Sequence, residues 1–158
     1  MAAFVPLQNV TATQLNALVD KIMADPATTA LSGTVTSGTT ETRDDVLGTY
    51  VFTAAASRRY RVTLSGLLLS AVSGDLAQAT IRDGGASTPT AASTLLAFNQ
   101  WKCQATGGGG QTGVFLSATF TPSSGTRTLA AFTKLNAGTG PVTPIGTREL
   151  YVEDIGAA

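Results

Sequence analysis

Four consecutive glycines, Gly107 to Gly110, stand in the stretch ATGGGGQTGVF that runs from Ala105 to Phe115. Gly108, Gly110 and Gly113 satisfy the spacing G-x-G-x-x-G, which in nucleotide-binding folds lets a backbone turn cradle phosphate. That chemistry needs a strand before the glycines and a helix after them, because the helix N-terminus supplies the donors. Here Gly113 leads into VFLSATF, where Phe115, Ser117 and Thr119 alternate with Leu116, Ala118 and Phe120. A period of two is strand, not helix. No lysine follows the glycines, so the Walker pattern fails as well. The sequence predicts a long hairpin loop in which Gly107–Gly110 reach positive φ, with no nucleotide or other cofactor.

The remaining candidate chemistry is sparse. ETRDD offers Glu41, Asp44 and Asp45, and YVEDIG offers Glu153 and Asp154. Calcium takes six to eight oxygens and neither cluster follows an EF-hand loop, so the expectation is solvated turn charges and no metal. No spacing singles out a glycosidase pair among the ten acids. Lys21, Lys102 and Lys134 stand in no motif of a Ser-Lys dyad. The chain has no histidine, which excludes Ser-His-Asp and Cys-His catalysis within it, and any His-ligated zinc. Cys103 is the single cysteine, so no intrachain disulfide can form. Trp101 and Cys103, two residues apart, are expected in the core. Arg58, Arg59 and Arg61 form a basic run, but alternation places Arg59 and Arg61 on the face opposite Tyr60, as a solvated or interface strand face. No residue is assigned a catalytic, cofactor or metal role, and an enzyme is not expected.

Composition agrees. Ten basic residues balance ten acidic ones in 158, so no field draws the chain to nucleic acid or to an anionic membrane. No stretch approaches the roughly 20 apolar residues of a membrane span, and MAAFVPLQNV lacks the pattern of a Sec signal.

The elements divide near residue 30. VTATQLNALVDKIMADP reads as a helix: Thr11 and Gln14 have capping-box spacing, and Val10 can staple onto Leu15. Leu15, Leu18, Val19 and Ile22 then recur at i, i+3, i+4 and i+7, and Pro26 closes the segment. About 13 residues make a helix roughly 20 Å long, marginal alone, whose stripe must dock either on its own domain or on a partner protein. Ahead of it, Phe4, Val5 and Leu7 around Pro6 form an extended apolar arm. Residues 1–30 are read as an attachment segment, with Phe4, Val5, Leu7, Leu15, Leu18, Val19 and Ile22 as its interaction residues.

From residue 31 to 158 the period is two. RRYRVTLSGLLLSA sets Tyr60, Val62 and Leu64 against Arg59, Arg61 and Thr63, a half-buried strand. VLGTYVFTA, DLAQATIRD, TLLAFNQWKCQA, GVFLSATFT, TRTLAAFTKLN and RELYVEDI follow the same rule, with a weaker candidate at LSGTVTSG. Turn chemistry separates them, in SGD, DGGASTPTA, GGGGQTG, PSSG and AGTGPVTPIG. Seven or eight short strands with no helix between them predict an all-β domain, an antiparallel β-sandwich or jelly roll. Leu67, Leu68 and Leu69 run consecutively, which suggests that both faces of that strand are covered and that the chain self-associates.

VTATQLNALVDKI resembles the short helical segment that begins many phage virion proteins, minor tail proteins among them. YRVTLSGLLLSAVSGDLAQATIRDGG and SATFTPSSGTRTLAAFTKLNAGTGPVTPIGTRELYVEDIG resemble a β-sandwich module recurring in structural proteins of phages of actinobacteria. The resemblance implies a non-enzymatic virion protein, often a homotrimer, displayed on the particle as a tail appendage or capsid decoration. Its partners would be other virion proteins, capsid or tail. The long coiled-coil or collagen-like shaft of a full receptor-binding fibre is lacking, which favours a short appendage or decoration protein. The alternative is a receptor- or glycan-binding module of a tail fibre, recognising a host-surface glycan through its loops. A glycan hydrolase is disfavoured by size and missing motifs.

Overall fold

The computed structural model describes residues 27–29, 38–106 and 109–158. Among them the chain is all-β: β1 Ala27–Thr29, β2 Thr42–Arg43, β3 Thr49–Ala54, β4 Arg58–Ser70, β5 Leu76–Asp83, β6 Thr94–Lys102, β7 Gln104–Thr106, β8 Gly109–Phe120, β9 Gly125–Ala137 and β10 Val142–Ala157. All pairings are antiparallel. One sheet, sheet A, has the order β1-β10-β4-β8-β7; the other, sheet B, has β2-β9-β5-β6, with β3 also pairing β9. Two facing antiparallel sheets are consistent with a β-sandwich. The expected helix and the LSGTVTS part of the weak strand candidate lie outside the described residues.

Alternation built the core as the pattern in β4 required. Tyr60, Val62, Leu64 and Leu68 point inward and are buried. Sheet A adds Val114, Leu116, Val142, Leu150 and Val152; sheet B answers with Ala77, Ala79, Ile81, Leu129, Ala131 and Leu135. The alanines of β5 let its packed neighbours fill the remaining space with larger side chains. Tyr50, Phe52, Tyr60 and Phe120 close one end of the core, with ring centroids 5.0–6.4 Å apart. The Tyr60 hydroxyl accepts the Ala55 amide at 2.9 Å, so this buried ring keeps its polar tip satisfied.

Of the irregularities that interrupt the regular pairing, two set the placement of Arg148 and Cys103. In β10 the register passes from Ile145↔Leu67 to Glu149↔Ser65, so Gly146, Thr147 and Arg148 face the single residue Gly66. This bulge turns the Arg148 side chain into the interior. A Cβ at Gly66 would lie 3.1 Å from Arg148 Cγ, which accounts for a glycine inside a central strand.

The second irregularity is at Cys103, where the chain leaves β6 in sheet B and enters β7 in sheet A. Its amide donates to the Asp75 carbonyl and its carbonyl accepts from Gly74.

Gly107 and Gly108 lie outside the described residues, and the rest of the glycine run is not in a long loop, contrary to the expectation. β7 pairs with β8 through Thr106↔Gly109, Ala105↔Gly110 and Gln104↔Gln111, so only two residues lie between the strands. Gly109, Gly110 and Gly113 belong to β8, and Gly110 and Gly113 have no positive φ. The physical reason for glycine at 110 is steric: a Cβ there would come within 2.7 Å of Cys103 Cβ and 2.9 Å of its backbone. The glycines are followed by a strand, as the alternation required, so the backbone context of a phosphate loop is not met.

Candidate functional site

Of the acids of ETRDD, Asp45 is an exposed turn charge as expected, but Glu41 and Asp44 are not solvated. Each is taken by a different arginine. Asp44 is buried: its Oδ1 accepts Arg148 Nη2 at 2.9 Å and the amides of Val46 and Leu47 at 3.2 and 3.1 Å. Arg148 Nε lies 2.5 Å from Oδ2 as an ion pair, outside the angular range of a hydrogen bond, and Nη1 has no partner among the described residues. A cavity of about 20 Å³, lined by Asp44, Gly66, Thr133 and Arg148 among others, is large enough for one water. Glu41 accepts Arg82 Nε at 2.8 Å and Nη2 at 2.7 Å, and also bonds the Thr80 hydroxyl. Asp45 pairs with Arg43 on the surface. The signal missed was the bulge, hinted at only by Gly66 and Gly146.

The other singled-out charges are also engaged or on the surface. Asp154 pairs with Arg58 at 2.7 Å and Glu153 with Arg61 at 3.7 Å, while Arg59 and Lys102 are exposed. Cys103 is fully buried and Trp101 half-buried against the core, as expected. Burial and the neighbouring Asp75 charge raise the Cys103 thiol above its ordinary range, which leaves it protonated and unreactive. No group of three or more His, Cys, Asp or Glu residues among those described could hold a metal.

Asp75 is an anchor that local pattern did not single out. Its Oδ2 accepts the Ser70 hydroxyl at 2.6 Å and the Gly140 amide at 2.8 Å, and Oδ1 accepts the Thr139 amide at 3.2 Å. It thus pins the β9–β10 connection to the end of β4. The Ser70 hydroxyl, against the opposing effect of burial and helped by the two amides, holds its carboxyl below the usual range. For Glu41 burial pushes the other way, but Arg82 and Thr80 together prevail and lower it too.

A group depressed in the folded state stabilises above its unfolded value and loses that contribution as pH falls through the folded value. Thermal melts from pH 7 down to about 2 should therefore hold steady to about pH 4, near the free carboxyl values, and fall below it. Asp75→Asn should melt lower at neutral pH and show a shallower acid decline. An acid limb identical to wild type would remove Asp75 from this account.

The outer faces of the two sheets differ. On sheet B the exterior of β5 and β9 is covered by the chain itself: Phe132 and Thr80 lie beneath Glu41, Arg82 and Arg43, and Gln100 bonds Gln78. Among the described residues sheet A is covered only toward one end, where Thr63 is buried beside Ser117 and Arg61 pairs with Glu153. Beyond that end Leu67 is 40% and Phe115 65% exposed, and they stand diagonally through the pairs Leu67↔Gly113 and Ser65↔Phe115. Leu69 and Ile145, half-buried, continue the patch along β4 and β10, with Tyr151 at its end. Leu68 is buried beneath the patch, so the Leu67–Leu69 run does feed both faces of β4.

The sequence-predicted attachment residues Phe4, Val5, Leu7, Leu15, Leu18, Val19 and Ile22 all lie outside the described residues. What the structure adds is where that segment joins the domain. β1 pairs with β10 through Ala27↔Leu150, Thr28↔Glu149 and Thr29↔Arg148, at the edge of the sheet that carries the exposed patch. The chain matches no protein-family model, and no curated protein is significantly similar to it.

Proposed function

We propose that the protein is a non-enzymatic structural component of a phage virion, a β-sandwich head displayed on the particle surface as capsid decoration or tail appendage. Residues 1–30 form its attachment segment and other virion proteins, capsid or tail, are its partners. It assembles in the host cytoplasm and functions in the virion, as a homotrimer by its resemblance to phage structural modules. The observation that carries this reading is the position of β1: the preceding 26 residues join the head at a sheet edge, where a tether can leave without crossing the core. The pairing of Glu41, Asp44, Asp45 and Asp154 with arginines supports a structural use of these acids.

Deleting residues 1–30 is expected to leave a folded head that no longer binds particles, read by co-sedimentation with particles lacking the protein. Wild-type occupancy by the truncated chain would falsify the assignment of that segment as the attachment element. Sedimentation of the full chain checks the trimer, and a monomer at every concentration counts against it. A second reading, recognition of a host-surface glycan, is favoured by the Phe98 ring, 57% exposed on the edge strand β6. Aromatic platforms of this kind stack on sugars, and a glycan array tests it directly.

A further inference from the structure

We infer that the free edge of β8 is a strand-pairing surface whose partner is β8 of a second copy of this chain, antiparallel about a two-fold axis at Ser117. β7 occupies the edge of β8 only at Gly109, Gly110 and Gln111. Among the described residues, 112–120 pair with β4 on one side and with no strand on the other. Such an edge presents a row of backbone donors and acceptors that another strand can satisfy. Folded chains blunt their edges with short strands, bulges, prolines and charges, and the other edges of this sandwich carry those devices. β1 has three residues, and β10 behind it carries Pro144, two register shifts and the acids Glu149, Glu153 and Asp154. The far edge of sheet B is broken into β2 and β3. β6 has a register shift around Leu96, and the Asn99 side chain accepts the Gln100 amide at 2.8 Å. β8 has none of these. Its sequence GGQTGVFLSATF holds no charge and no proline, and its register with β4 runs without a shift.

The core is also least covered on this flank. β6 ends sheet B, and β8, past the short β7, ends sheet A. Of the partly buried apolar side chains packed against the core, all but Phe52 lie on these two strands: Leu96, Ala97, Trp101, Ala118 and Phe120. A strand laid along β8 extends its inner row over that flank. The pattern of β8 itself selects the partner. With Ser117 opposite its counterpart, Val114 faces Phe120 of the second copy and Leu116 faces Ala118, so all four inward residues meet apolar partners. On the outer face Phe115 meets Thr119. No like charges oppose each other, because the strand holds none. The contact is also closed: a two-fold axis uses the same edge of both chains and leaves none open to a third. It doubles whatever other surfaces build, giving two copies from a single chain or six from a trimer. It holds whether or not the protein belongs to a virion.

Sedimentation equilibrium of the full chain tests it, with circular dichroism as the check on folding. The wild-type protein should sediment as two or six copies. Ser117→Lys, at an exposed position, sets like charges opposite each other across the axis and should halve that mass. Val51→Glu, exposed on β3, should leave it unchanged. Ser117→Glu should halve the mass as well, and it stands in if the lysine variant does not fold. Mixing the two folded variants should restore the wild-type mass, because opposite charges then face each other at the axis. The inference is overturned by a wild-type mass of one or three copies, by an unchanged mass in either folded variant, or by no recovery on mixing. Any of those results leaves the virion assignment to be judged by its own particle-binding test.

Discussion

Arg148→Ala is expected to lose about 3–5 kcal/mol of unfolding free energy, measured by urea denaturation at neutral pH. The substitution strands Asp44, whose carboxylate is buried and has no other cation beside it among the described residues. Removing one partner of a buried pair leaves an uncompensated charge in low dielectric, which costs far more than the pair itself contributes. Against a total stability of about 5–15 kcal/mol for a domain of this size, that is roughly a fifth or more. Asp44→Ala should cost at least as much, because the amides of Val46 and Leu47 lose their acceptor too. Arg148→Met should be milder than Arg148→Ala: its chain refills the space over Gly66, although Asp44 stays unpaired. A loss below about 1 kcal/mol for Arg148→Ala, the range of exposed pairs, would mean that solvent reaches this pair.

Gly138→Ala should be nearly as damaging, at about 3 kcal/mol or more by the same measurement. Gly138 has φ +125°, a conformation that residues with a Cβ rarely adopt, and the added Cβ would run into the Asp75 carboxylate. The two costs reinforce each other. Relieving the strain by rotating the backbone withdraws the Thr139 and Gly140 amides from Asp75. Relieving the clash by moving Asp75 breaks its bond to Ser70. Asp75→Ala in the Gly138→Ala background should therefore cost less than the sum of the two single changes, since it removes the obstruction. Strict additivity would place the damage in backbone strain alone.

The contrast between these sites and the rest of the chain shows what local pattern can carry. Alternation in RRYRVTLSGLLLSA was enough to place Tyr60, Val62, Leu64 and Leu68 inside, because a period of two fixes the face of every residue once one face is buried. The all-β class, the absence of helix after the glycine run and the core position of Cys103 stem from the same short-range information. Local pattern could not show that Asp44 meets Arg148, 104 residues away, or that Asp75 meets Gly140, 65 residues away. Those contacts depend on how two sheets face each other and on a bulge that rotates one arginine inward. The glycine run shows the boundary most plainly. Its composition suggested freedom of backbone, but the need at Gly110 is for room, and only the approach of Cys103 in the folded chain creates it. The sequence by itself determined which residues alternate, turn and bury; the tertiary structure decided which charges pair, which glycines are indispensable and which sheet edge lies bare. The physical reason is range: propensity and periodicity act over a few residues, whereas sterics and electrostatics in the core act between strands the chain brings together only on folding.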